Sequence, residues 1–166
     1  VRDEFWKHGS VDEDYGAIAC PVLVVGGWAD AYVNAVPRLL AGLGVPRLGL
    51  IGPWGHMMPY EGVPGPATDF LAEAVRWWDR WLKGIDNGVM EQPLLRAWMQ
   101  EHVAPATFHA VRPGRWVTER SWPPEWGGTA RWRLTAGGIL EEGTSARPVV
   151  PGGAGSREVE FTGVQE

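Results

Sequence analysis

The chain has 166 residues, 45% hydrophobic and 21% charged, with a formal net charge of −5; that is one ordinary domain or parts of two, globular rather than disordered. The acidic balance argues against a phosphate-neutralising nucleic-acid surface, and no apolar run approaches the ~18 residues a membrane helix needs. One cysteine, Cys20, can form neither an internal disulfide nor a multi-thiolate metal site.

Residues 1–17 are polar and charged around the adjacent Phe5 and Trp6, which predicts a short helix or turn leading into the fold. Cys20-Pro21-Val22-Leu23-Val24-Val25 follows, closed by Gly26-Gly27. An unbroken β-branched apolar run reads as a strand buried on both faces, the pattern of parallel sheets. Asn34 is placed to cap a helix over 35–43, with Pro37 tolerated in its first turn. Gly44 and Pro46 then stop it. Residues 48–52 make a second short apolar strand. Strand, helix and strand within about 30 residues form a βαβ unit, whose crossover is expected to be right-handed.

A loop rich in Gly and Pro spans 58–66, and a second helix begins near Thr68, with Asp69 at the positive end of its dipole. Phe70, Ala74, Trp78 and Trp81 recur at helical spacing, Leu71, Val75 and Leu82 widen the stripe, and Gly84 ends it. That face is expected to pack on the sheet. Past Gly88 the period shortens: residues 94–99, 108–111, 116–118, 130–134 and 159–161 have strand character. Turn signals such as Arg112-Pro113-Gly114, Pro123-Pro124 and Ala136-Gly137-Gly138 separate them, and residues 148–156 approach low complexity. Such punctuated short strands predict a β-sandwich. The domain boundary is therefore expected within 86–92, giving an α/β part over 1–88 and a β part over 89–166.

In open α/β sheets function collects at the carboxyl ends of strands. The two predicted strands end in Gly26-Gly27-Trp28-Ala29-Asp30 and Gly52-Pro53-Trp54-Gly55-His56, so each delivers one titratable side chain at the same sheet edge. A carboxylate bonded to one imidazole nitrogen fixes the tautomer and leaves the other nitrogen as a general base. Taken singly, an Asp in a turn is more often a cap and a lone His more often structural. Acid before base in the late strands is, however, the chain order of α/β-hydrolases. His8, His56, His102 and His109 lack metal-ligand spacing such as H-E-x-x-H, and Asp12-Glu13-Asp14 lacks the EF-hand pattern. No phosphate-binding glycine motif occurs.

Three segments, Gly26 to Asp30, Gly52 to His56, and Trp77-Trp78-Asp79-Arg80-Trp81-Leu82-Lys83-Gly84, together resemble the cocaine-esterase and X-Pro dipeptidyl-peptidase family of serine hydrolases. Arg120-Ser121-Trp122-Pro123-Pro124 is similar to the opening of that family's carboxyl-terminal domain. The resemblance runs from Phe5-Trp6 through most of the chain. It implies an α/β fold: the carboxyl-terminal part of an α/β-hydrolase sheet, followed by the beginning of a jelly-roll-like β-sandwich. It also implies Asp30 as the triad acid and His56 as the base. Trp28 and Trp54, flanking them, are candidates for lining a substrate pocket. Ala29 stands where the family often has an aromatic residue and Gly55 where it often has Ser or Thr, departures that bear on pocket shape.

The implied reaction is acyl transfer from a small ester or a peptide, with no cofactor, no metal and neither a nucleic-acid nor a membrane partner. The family's nucleophile is a serine on a G-x-S-x-G elbow. Gly9-Ser10-Val11, Gly143-Thr144-Ser145-Ala146-Arg147 and Gly155-Ser156-Arg157 do not meet that pattern. The serine is therefore expected upstream, in a longer hydrolase of which this chain is a fragment, inactive alone. An α-amino-ester hydrolase or acylase of the same family, and a non-catalytic interaction remnant, are the alternatives.

Overall fold

The computed structural model describes residues 3–134, 138, 140–142 and 158–163. They divide into two compact units, Val1–Pro123 and Pro124–Glu166. The first opens with α1 (Glu4–His8), capped by the Asp3 carboxylate, which accepts from the Trp6 backbone N–H. Strand β1 (Val22–Gly27), helix α2 (Ala35–Gly42) and strand β2 (Arg47–Gly52) follow. Helix α3 (Phe70–Lys83) then leads to β3 (Leu95–Gln100) and β4 (Gly114–Glu119).

These strands form one sheet in the order β1-β2-β3-β4. β1 pairs in parallel with β2 and β2 with β3, whereas β4 returns antiparallel to β3. The strand at Leu95–Gln100, expected to open a separate β domain, thus extends the α/β sheet, and the boundary expected at 86–92 falls inside the first unit. Its run Leu94-Leu95-Arg96-Ala97 is apolar enough to be covered on both faces, which sequence alone does not assign to one sheet or another.

The sheet is covered on both sides. Val36 and Leu40 of α2 pack with Val24, Ile51, Leu95 and Ala97. On the opposite face Trp77 of α3 packs with Leu48 and Val89, with Leu23 and Trp81 alongside. Both crossovers step the same way across the sheet but over opposite faces, so the two connections have opposite hands.

Helix α3 corrects the sequence reading in one respect. Its buried residues are Ala74 and Trp77, while Trp78 is 56% exposed. Leu71, Val75 and Leu82 share that outer face and are also exposed. The helix carries two apolar stripes, and the one holding Trp77 meets the sheet. Asp69 caps it, accepting from the Ala72 N–H, and Gly84 closes it in the left-handed region at φ 73°. The Arg96 guanidinium on β3 pairs with Glu73, tying α3 to the sheet. Residues 108–111, expected as a strand, form only a bridge between Val111 and Gly65.

Among its described residues the second unit is an antiparallel sheet in the order β6-β5-β7, from β5 (Gly128–Leu134), β6 (Leu140–Glu142) and β7 (Glu158–Gly163). Apart from Gly138, the turn at 136–138 and the stretch 148–156 lie outside the described residues.

Candidate active site

Parallel register sets Gly27 of β1 opposite Gly52 of β2, so both chains leave the sheet at one level. Past this point the ladder continues into the turns. Trp28 N–H donates to Gly52 O at 2.9 Å, Ala29 N–H to Trp54 O at 3.0 Å, and Asp30 N–H back to Gly27 O at 3.0 Å. Gly27 is required by close approach, since a Cβ there would lie 2.1 Å from the Trp54 carbonyl oxygen. A Cβ on Gly52 would strike the Trp54 indole at 2.4 Å. The glycines that close the two strands therefore let the two loops lie against each other.

That approach brings Asp30 and His56 together: Asp30 Oδ2 lies 2.9 Å from His56 Nδ1. The other carboxylate oxygen, Oδ1, accepts the Tyr32 backbone N–H at 2.8 Å. The aspartate side chain is only 12% exposed, whereas the imidazole is 81% exposed. The Tyr32 N–H bond first, and the His56 bond second, hold the Asp30 carboxyl below its ordinary pKa, because both favour the charged form. An ionised Asp30 accepts from Nδ1–H, which places the free lone pair on Nε2, the atom able to take a proton.

The two tryptophans flanking the pair separate. Trp28 is 46% exposed, with its indole N–H donating to the Trp98 carbonyl oxygen at 2.6 Å. Its ring keeps open surface while one end is pinned to β3. Trp54 is 1% exposed and donates to Pro66 O at 2.7 Å. Its ring lies 6.3 Å from that of Trp116. It fills the interior beneath the His56 loop and offers no open face to a substrate, contrary to the expectation that both rings line a pocket. The difference follows from Gly52, whose bare Cα makes the space the Trp54 ring occupies.

Sequence reasoning did not single out Tyr32. Its ring lies 5.7 Å from the His56 imidazole at an interplanar angle of 63°. The available signal was its position two residues beyond Asp30, where an Asx turn returns the chain toward the aspartate. Among the described residues no group of three His, Cys, Asp or Glu side chains gathers to hold a metal ion, and no helix is long and apolar enough to cross a membrane.

A parallel sheet that presents a carboxylate and an imidazole, bonded to each other, from adjacent strand ends is the layout of an α/β-hydrolase's acid and base. Comparison with known proteins carries this further. Residues 1–58 match the family described as X-Pro dipeptidyl-peptidase (S15 family). A Streptomyces avermitilis protein that carries the name Xaa-Pro dipeptidyl-peptidase is 30% identical over 124 residues, covering 72% of this chain and 16% of that protein. A Mycobacterium bovis protein that carries the name serine esterase is 27% identical over 118 residues, covering 67% of this chain and 17% of that one. In fold, the crystal structure of a CocE/NonD family hydrolase from Staphylococcus aureus superposes with a TM-score of 0.62 at 14% identity, over 82% of this chain and 23% of that one. The chain is thus similar to the X-Pro dipeptidyl-peptidase (S15) family over residues 1–58 and shares the fold of the CocE/NonD family hydrolase structure. It spans about a sixth of the length of the curated relatives it matches.

Proposed function

We propose that this chain supplies the acid and base of a Ser-His-Asp acyl hydrolase whose serine comes from an upstream segment of the same polypeptide. One observation carries the reading: the 2.9 Å bond between Asp30 Oδ2 and His56 Nδ1 at the carboxyl edge of a parallel sheet. In this mechanism Nε2 of His56 takes the proton of the serine hydroxyl as the oxygen attacks the carbonyl carbon of an ester or amide. The same nitrogen then returns the proton to the leaving alcohol or amine. A water molecule repeats the cycle on the acyl-enzyme. Asp30 stays ionised throughout and balances the imidazolium. Trp28, half-exposed in the same turn as Asp30, forms one wall for the acyl or leaving group, and the substrate is a small ester or a peptide. The second unit begins the β-sandwich that follows the catalytic domain, and the names of the relatives support an esterase or an X-Pro peptidase for the whole protein.

The test is p-nitrophenyl ester hydrolysis by three proteins: the 166-residue chain, a longer polypeptide in which it follows a serine-elbow segment of its own gene, and the His56→Ala form of the latter. Saturable turnover is expected in the second alone. Saturable, His56-dependent turnover by the short chain would place a nucleophile within it and overturn the assignment. Undiminished turnover in His56→Ala would remove the base, and absence of turnover in the longer polypeptide would favour an interaction remnant.

A further inference from the structure

Tyr32 touches both members of the pair, through different atoms. Its backbone N–H holds Asp30 Oδ1 at 2.8 Å, while its ring meets the imidazole at a centroid distance of 5.7 Å. The geometry is edge-to-face, the arrangement aromatic quadrupoles prefer. With 81% of its side chain exposed, His56 has little packing to restrain it. A single hydrogen bond at Nδ1 fixes one atom of the ring and leaves the rest able to swing, and exposed side chains change rotamer in picoseconds to nanoseconds. A base that swings off its carboxylate loses both its tautomer and the direction of Nε2. A second contact on the ring prevents this, and Tyr32 supplies one from the same three-residue turn that anchors the aspartate.

We propose that Tyr32 is a positioning residue for His56: its ring holds the imidazole in the pose in which Nδ1 meets Asp30 and Nε2 is free. The proposal rests on the triad reading. Because the contact is made by the aromatic ring and not by the phenol hydroxyl, Phe should replace Tyr32 and aliphatic residues should not. Since Tyr32 is itself 71% exposed, its replacement removes little buried surface. The backbone bond to Asp30 survives substitution by Phe, Leu or Ala, each of which keeps the N–H.

The experiment is ¹⁵N NMR of histidine-labelled 166-residue chain, at a pH where imidazole is neutral, with Tyr32→Phe, Tyr32→Leu and Tyr32→Ala. Histidine free of restraint favours the Nε2–H tautomer, so the Nδ1–H population of His56 reports the pose directly. The wild type and Tyr32→Phe should hold His56 predominantly as Nδ1–H. Tyr32→Leu and Tyr32→Ala should lower the ratio of Nδ1–H to Nε2–H by ~2- to 10-fold, the range an aromatic pair supports. An unchanged ratio in both aliphatic variants, beside a wild type that is locked, would overturn the role of Tyr32 and leave the triad reading intact. A wild type without Nδ1–H preference would instead sink the Asp30–His56 pairing, and this inference with it. In the serine-completed enzyme Tyr32→Leu should lower kcat by a similar factor with KM unchanged, with Tyr32→Phe restoring it. A rise in KM alone would make Tyr32 a substrate contact and refute the positioning role.

Discussion

Replacing Trp77 and Trp78 one at a time separates a helix face that holds the fold from one that does not. Trp77 is 5% exposed and packs with Leu48 and Val89, beside Leu23 and Trp81. A tryptophan ring buries ~150–250 Å², which at ~25 cal/mol per Å² comes to roughly 4–6 kcal/mol. An extended reference chain overstates that burial, and large aromatic-to-Ala changes in cores cost ~3–5 kcal/mol. Trp77→Ala should therefore cost about 3–5 kcal/mol, a large share of the ~5–15 kcal/mol that holds an ordinary domain together. Trp78, adjacent in sequence but 56% exposed, should cost no more than ~1 kcal/mol when changed to Ala. Urea unfolding followed by circular dichroism gives both numbers. With m near 2 kcal/mol per M, the midpoint should fall by roughly 2 M for Trp77→Ala and less than ~0.5 M for Trp78→Ala. Equal losses, or the larger loss at Trp78, would mean that the other stripe of α3 faces the sheet.

Three further outcomes follow from the site. Gly27→Ala forces a Cβ to within 2.1 Å of the Trp54 carbonyl oxygen. Backbone must move, at a cost of ~1–3 kcal/mol, and the Asp30–His56 bond should open, read as loss of the His56 Nδ1–H signal. The Asp30 carboxyl is held below its ordinary pKa, first by the Tyr32 N–H. A depressed acid stabilises the fold above its unfolded value and loses that contribution as pH falls through the folded value. Its ¹³Cγ titration midpoint should therefore lie below that of free aspartate, and Tyr32→Pro, which removes the N–H donor, should raise it. In the serine-completed enzyme Asp30→Asn should lower kcat by ~10³–10⁴-fold while leaving the fold intact, because the amide favours the wrong tautomer; a loss of less than tenfold would contradict the role of Asp30.

Much of this protein was legible in one dimension because its signals are local. The run Val22-Leu23-Val24-Val25 closed by two glycines, the helix before Gly44, and the strand at 48–52 all form where they were read, since each depends on composition and punctuation within one element, although Asn34 makes no side-chain capping bond to the helix. That Asp30 and His56 could meet was legible in the same way, since parallel strands of equal length bring their carboxyl ends together, and the two lie at 2.9 Å; their roles as acid and base came from the family resemblance. Contacts between elements were decided elsewhere. Helix α3 offers two apolar stripes, and periodicity gives no reason to choose Trp77 over Trp78; the shape of the surface around Leu48 and Val89 chooses. Trp54 and Trp28 stand at matching places in their loops, yet one is interior and one half-open, because Gly52 makes room for a ring and the other indole is tied to Trp98 across the sheet. The segment Leu95–Gln100 has the same strand character in either domain, and only parallel pairing to β2 assigns it to the α/β sheet. Tyr32 reaches His56 because a turn of three residues and the separate loop carrying His56 meet in space, a coincidence of two local conformations that no single stretch of sequence encodes.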